Sequence, residues 1–275
     1  MEKIIGYSSQ PLNDSRGEFA ESFVGYLDIL GFKEKVRDEE KRHLLVKNYD
    51  QIYNYLNSTN PIDIPSIPIG PLHGFHEDVG KSFFKNISIP RWHIYNISDS
   101  IFIIIVPDKK GELCWITYAI ALFIIMVDIQ LICMKNDLPT RGAISSGEIF
   151  YDSNKGIFIG EPITQAYLWE RVQKFAWLSI DPFCGISKKY FSFPKTIGAN
   201  LLREIYVDDN FFNSKRIKSY YEYLKLDYVK ELKALVPIGI STNINDSIVC
   251  LNELSRGNID YEEYYKNAIS IIKQK

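Results

Sequence analysis

The chain has 275 residues, of which 46% are hydrophobic, 14% aromatic and 24% charged. That apolar fraction can bury enough surface to offset the ordering entropy, which excludes a disordered chain. Thirty-two basic and 34 acidic residues leave a formal net charge of -2, without the basic surplus that a nucleic-acid polymer as partner demands.

The N-terminal segment, residues 1–21, carries no apolar core of a signal peptide,. Ser22 to Phe32 is β-branched and aromatic and reads as a strand,. The charged stretch after it has helical spacing, with Val36, Leu44, Leu45, Ile52 and Leu56 on one broad face,. Residues 57–80 are rich in Pro and Gly and read as a surface insertion,. In the stretch RWHIYNISDSIFIIIVPD two extended runs meet around Ser98-Asp99-Ser100, a hairpin signature,. The apolar run that begins at Leu113 stops at Asp128, with Gln130 close behind. It falls short of the roughly 20 residues that a bilayer core requires, so a buried helix is expected and no membrane span.

Leu138 to Asp152 is extended again, followed by the turn Asp152-Ser153-Asn154-Lys155-Gly156 and a short strand, Ile157 to Gly160. Pro162 suits the first turn of the next helix, and Phe175 to Asp181 returns to strand,. From Phe183 onward the pattern is mostly helical, a C-terminal extension over 182–275. The order predicts an α+β fold over 22–181: a mixed, mainly antiparallel sheet with helices on one face.

Cys114, Cys133, Cys184 and Cys250 form no CxxC pair and are too scattered for a disulfide scaffold,. The four histidines have no zinc-ligand spacing, and His73 and His76 fall in a Gly/Pro loop,. Reduced thiols and a cytoplasmic location are the expectation.

Two carboxylates stand out. Asp28 lies inside an apolar strand and leads at once into the turn Ile29-Leu30-Gly31-Phe32. An ionised carboxylate in that company is costly unless a positive group meets it. Asp99 sits at the hairpin. If the hairpin pairs with the Asp28 strand, both acids converge on one edge. Together with phosphate oxygens they make the oxygen-rich site that Mg²⁺ or Mn²⁺ prefers.

These blocks resemble the class III nucleotide cyclases. GYLDILGFKEKV is similar to that family's first metal-binding strand, and ISDSIFIII to its second metal-binding hairpin. RGAISSGEIF and GIFIGEPITQAYLWE follow in the family's order, in wording nearest the bacterial pyrimidine cyclases of the Pycsar anti-phage systems. The resemblance implies two ions, Mn²⁺ or Mg²⁺, held by Asp28, Asp99 and the carbonyl of Ile29. It implies Gly31 and Phe32 in the turn at the triphosphate, and a homodimer with sites at the interface. It further implies UTP or CTP as substrate, a cyclic monophosphate as product, and a separate effector protein that reads this messenger. The family's base-reading Lys and Asp correspond here to Tyr95 and Ile157, which disfavours a purine cyclase. Its helix Asn and transition-state Arg correspond to Thr164 and Leu168. Arg141 and Arg171 are candidates for the missing cation. The same gap leaves a catalytically silent, cyclase-like dimerisation or ligand-binding module as the rival reading.

Overall fold

The computed structural model of the chain describes residues 7–8, 17–58, 91–107, 112–152, 155–189, 202–229, 231–237, 248–255 and 261–273. Nearly all of the insertion expected at 57–80 lies outside the described residues.

The strands are β1 (Tyr7–Ser8), β2 (Glu18–Ile29), β3 (Arg91–Ile97), β4 (Ser100–Val106), β5 (Thr140–Asp152), β6 (Ile157–Ile159), β7 (Leu178–Ile180), β8 (Leu202–Tyr206) and β9 (Lys233–Pro237). They form one sheet in the order β1-β3-β4-β2-β5-β7-β9-β8, with β6 paired to β5. The β5–β7 pair is parallel and the other pairs are antiparallel. The expected α+β class with a mixed, mainly antiparallel sheet is the one observed.

Among the described residues the helices are α1 (Phe32–Arg37), α2 (Glu39–Ser58), α3 (Glu112–Lys135), α4 (Glu161–Val172), α5 (Gly185–Lys189), α6 (Ser214–Leu224) and α7 (Glu262–Lys273), with residues 248–255 helical as well. Strand alternation sorts them between the faces of the sheet. Phe23, Leu27 and Ile29 of β2 join Ile101, Ile103 and Ile105 of β4 in a core shared with α2 and α3. Gly25 belongs to that face, where a Cβ would collide with the Met126 sulfur, so its missing side chain lets α3 approach the sheet. Each fully buried large side chain there contributes roughly 1.5–3 kcal/mol.

The apolar run from Leu113 therefore ends as a core helix. Residues Tyr118–Lys135 are long and apolar enough to cross a membrane, and 72% of them are buried inside the protein. Its two polar interruptions are used internally. Tyr55 Oη donates to Asp128 Oδ2 at 2.6 Å, and Gln130 Nε2 donates to the Thr140 carbonyl at 3.0 Å.

Three expectations change. The helices do not all share one face: α4 crosses the opposite side, with Gln165 bonded to Ser145 and Glu170 to Arg141. The alternation explains it, since Ser145 and Arg141 pair with Val24 and Asp28 and so point away from α3. The extension after 182 also contributes strands: β9 pairs with β7, and β8 with β9, so the sheet runs through it. Finally, β2 starts at Glu18, ahead of the expected Ser22, because Glu18 to Glu21 pair with the far end of β5.

Candidate active site

Asp28 lies near the end of β2, paired with Ser100 on one side and Arg141 on the other. Directly opposite residues in an antiparallel pair hold their Cβ atoms about 5 Å apart on one face. Asp99 follows from the hairpin. The two-residue turn Ser98-Asp99 places Ser98 at φ 60°, and the Ile29 amide donates to the Asp99 carbonyl at 3.0 Å. Tyr49 Oη donates to the Ser98 carbonyl at 2.8 Å, which ties the turn to α2. The hairpin thus pairs with the Asp28 strand, and the backbones of Asp28 and Asp99 lie at the same end of the β2–β4 ladder.

The turn after β2 is fixed at several points. The Leu30 amide donates to the Pro139 carbonyl at 2.9 Å, and Lys35 Nζ donates to the Asp137 carbonyl at 2.9 Å. Gly31 takes φ 71°, the left-handed region that favours glycine, and the Tyr261 ring lies against it,. Phe32 is half-buried against the core. With six residues, α1 supplies little macrodipole for an anion,.

Asp28 is half-buried, and among the described residues its carboxylate makes no ion pair or side-chain hydrogen bond. Burial pushes its carboxyl up to about 7, helped by the negative charges of Glu170 and Asp99 and opposed by Arg141 and Arg171. A divalent cation would reverse that balance, since two carboxylates and nearby backbone oxygens are the hard donors it prefers. The residues fit such an ion as a pair: among the described residues no group of three or more His, Cys, Asp and Glu side chains gathers around one point.

The two candidate arginines have different surroundings. Arg141 is 8% exposed, and its Nε donates to the buried carboxylate of Glu170. Its Nη1 donates to the Gln173 carbonyl at 3.2 Å, and the guanidinium sits 5.7 Å from the centre of the Tyr264 ring. Arg171 is exposed and lies over Tyr167, donating to its hydroxyl at 3.1 Å. Tyr167 in turn meets the ring of Tyr26, whose hydroxyl shares a 2.8 Å hydrogen bond with Ser100.

Tyr95 lies on the Asp28 face, in a row with Phe102 and Tyr26. Its ring centre is 4.7 Å from that of Phe158, and burial pushes its hydroxyl pKa upward. Ile157 pairs with Asp152 at the far end of β5 and is 37% exposed, so it does not meet Asp28 within one chain. Thr164 is exposed and Leu168 is half-buried. Sequence reasoning missed Glu170, Tyr261 and Tyr264. Their place at the site depends on how α4 and α7 dock, which no local spacing reveals.

No family model matches the sequence, and no curated protein matches it. Among solved structures, the chain is similar to the catalytic core of a rhodopsin-guanylyl cyclase with converted specificity, determined in complex with ATPalphaS. The TM-score is 0.47 at 10% identity, over 80% of this chain and 97% of that one.

Proposed function

We propose that the chain is a metal-dependent nucleotide cyclase that converts UTP or CTP to the 3′,5′-cyclic monophosphate and pyrophosphate. The observation that carries this reading is the convergence of Asp28 and Asp99 at one sheet edge through the β2–β4 register. The resemblance of the surrounding motifs supplies the reaction: the ribose 3′-oxygen bonds to the α-phosphorus as pyrophosphate leaves. Asp28, Asp99 and the Ile29 carbonyl would hold Mn²⁺ or Mg²⁺. Such ions lower the pKa of the attacking hydroxyl and offset the phosphate charge.

Gly31 and Phe32 form the turn at the triphosphate in this reading, and Tyr95 stands at the base. A half-buried phenol walled by Phe158 leaves less room than a flexible lysine, which supports the smaller pyrimidine ring. Arg171 is the better candidate for the phosphoryl charge, because Arg141 is already neutralised by Glu170,. A cytoplasmic homodimer with shared sites, signalling to a separate effector in anti-phage defence, completes the proposal on the resemblance alone.

A silent module is the second reading, favoured by Leu168 at the family's arginine position and by the pairing of Arg141. Incubation with all four nucleoside triphosphates and Mn²⁺, with products identified by mass spectrometry, separates the two. Cyclic UMP or cyclic CMP is the expected product. Cyclic AMP or GMP as the main product would refute the base assignment, and no turnover with any substrate would favour the silent module.

A further inference from the structure

Arg141 is the cation nearest in register to Asp28, yet its charge is directed elsewhere. The two residues pair directly across β2 and β5, within easy reach of a guanidinium,. An unrestrained arginine there would close onto the Asp28 carboxylate and form a bidentate pair. Instead its Nε is bonded to Glu170, which is 1% exposed on α4, and Tyr264 beside it at the start of α7 covers the guanidinium. The Tyr264 end of α7 is itself anchored. The Ala176 amide donates to the Tyr264 carbonyl at 3.1 Å, and Asn267 Nδ2 donates to the Lys174 carbonyl at 2.9 Å. Tyr265, Ala268, Ile271 and Ile272 bury the apolar face of α7 in the core.

We propose that Glu170 and Tyr264 form a clamp that holds Arg141 off Asp28 and so keeps the Asp28 carboxylate open to a divalent cation. Glu170 and Tyr264 are then positioning residues. The C-terminal segment gains a role that its sequence does not announce: it supplies one jaw of the clamp. The clamp itself is a matter of ion pairing within the chain. Only the use to which the open carboxylate is put rests on the cyclase reading.

The test is a pair of measurements. In metal-free protein at pH 8.5, Asp28→Asn removes a half-buried charge without a partner and raises the melting temperature of the wild type. In a Glu170→Gln background Arg141 is released onto Asp28, so Asp28→Asn breaks an ion pair and lowers the melting temperature. The same sign in both backgrounds overturns the clamp. Where Glu170→Gln does not fold, Tyr264→Leu serves in its place, with Tyr264→Phe expected to behave as wild type because it keeps the ring. Binding of Mn²⁺ alone, followed by electron paramagnetic resonance, is the second measurement. Affinity should fall about tenfold or more in Glu170→Gln and return when Arg141→Gln is added. Unchanged Mn²⁺ affinity in Glu170→Gln overturns the proposed purpose of the clamp. A sign reversal in protein whose wild type takes up no Mn²⁺ leaves the clamp standing and removes the metal-site reading instead.

Discussion

Asp28 and Asp99 differ in how the chain holds them. Asp28 is a strand residue fixed on both sides by ladder partners, whereas Asp99 is carried by a two-residue turn whose carbonyl is bonded to the Ile29 amide. Both residues lie at the same end of the β2–β4 ladder, and in the proposed site each would supply one carboxylate to the cation. Asp28→Ala and Asp99→Ala should each reduce cyclic-nucleotide formation by more than roughly 100-fold, the loss expected when a group that offsets transition-state charge is removed. Circular dichroism of the two variants should match the wild type, because neither carboxylate is part of the apolar core. A variant that retains full turnover would show that its carboxylate is not a ligand.

At the level of elements, the packing of α4 on the sheet depends on a second buried acid. Asp181 follows β7 and is fully buried. Its Oδ1 accepts from the Phe183 amide at 3.0 Å, and its Oδ2 lies 3.4 Å from Ser145 Oγ. Burial pushes its carboxyl up to about 6 from an ordinary 3.8. The folded protein therefore binds this proton more tightly than the unfolded chain. The neutral acid's contribution is fully present below pH 4 and is lost as pH rises through about 6,. Asp181→Asn keeps the acceptor for Phe183, and its amide can donate to Ser145, which already hydrogen-bonds Gln165. The variant should match the wild type near pH 4 and exceed it by about 1–3 kcal/mol above pH 7. Denaturant melts across that range check the prediction; a constant difference would mean that Asp181 is not the titrating group.

For the molecule as a whole, the C-terminal third is not a detachable appendage. It contributes β8 and β9 to the sheet, and Tyr265, Ala268 and Ile271 to the main core. Trp177 of the central region donates to the Pro237 carbonyl at 2.6 Å, and Arg203 of β8 donates to the carbonyls at the end of α7. Ending the chain at Asp181 would expose the β7 edge and the apolar residues beneath it, an aggregation-prone surface. The truncated chain should lose the cooperative unfolding transition of the full protein in calorimetry. A cooperative melt of residues 1–181 would instead establish that region as an independent domain.

Much of this was readable from local pattern. The Ser98-Asp99 hairpin, the buried helix from Leu113 and the strand carrying Asp28 rest on turn chemistry and apolar periodicity, which act over a few residues. β8 and β9 were missed for the converse reason: Leu202–Tyr206 and Lys233–Pro237 are five residues each, too short for a clear local pattern, and are strands through pairing with each other and with β7. The side of the sheet taken by α4 was equally hidden, since it follows from which residues of β5 point away from α3.

The sequence was sufficient to nominate Asp28, because a carboxylate within an apolar strand is costly wherever that strand lies, and Asp99 followed from a hairpin that could pair beside it,. It could not say which charges would surround them. Arg141 was one of two candidates for the missing cation, and the fold gives it to Glu170 and Tyr264. Those partners lie 29 and roughly 120 positions along the chain from Arg141, and only the docking of α4 and α7 on the sheet brings them into contact.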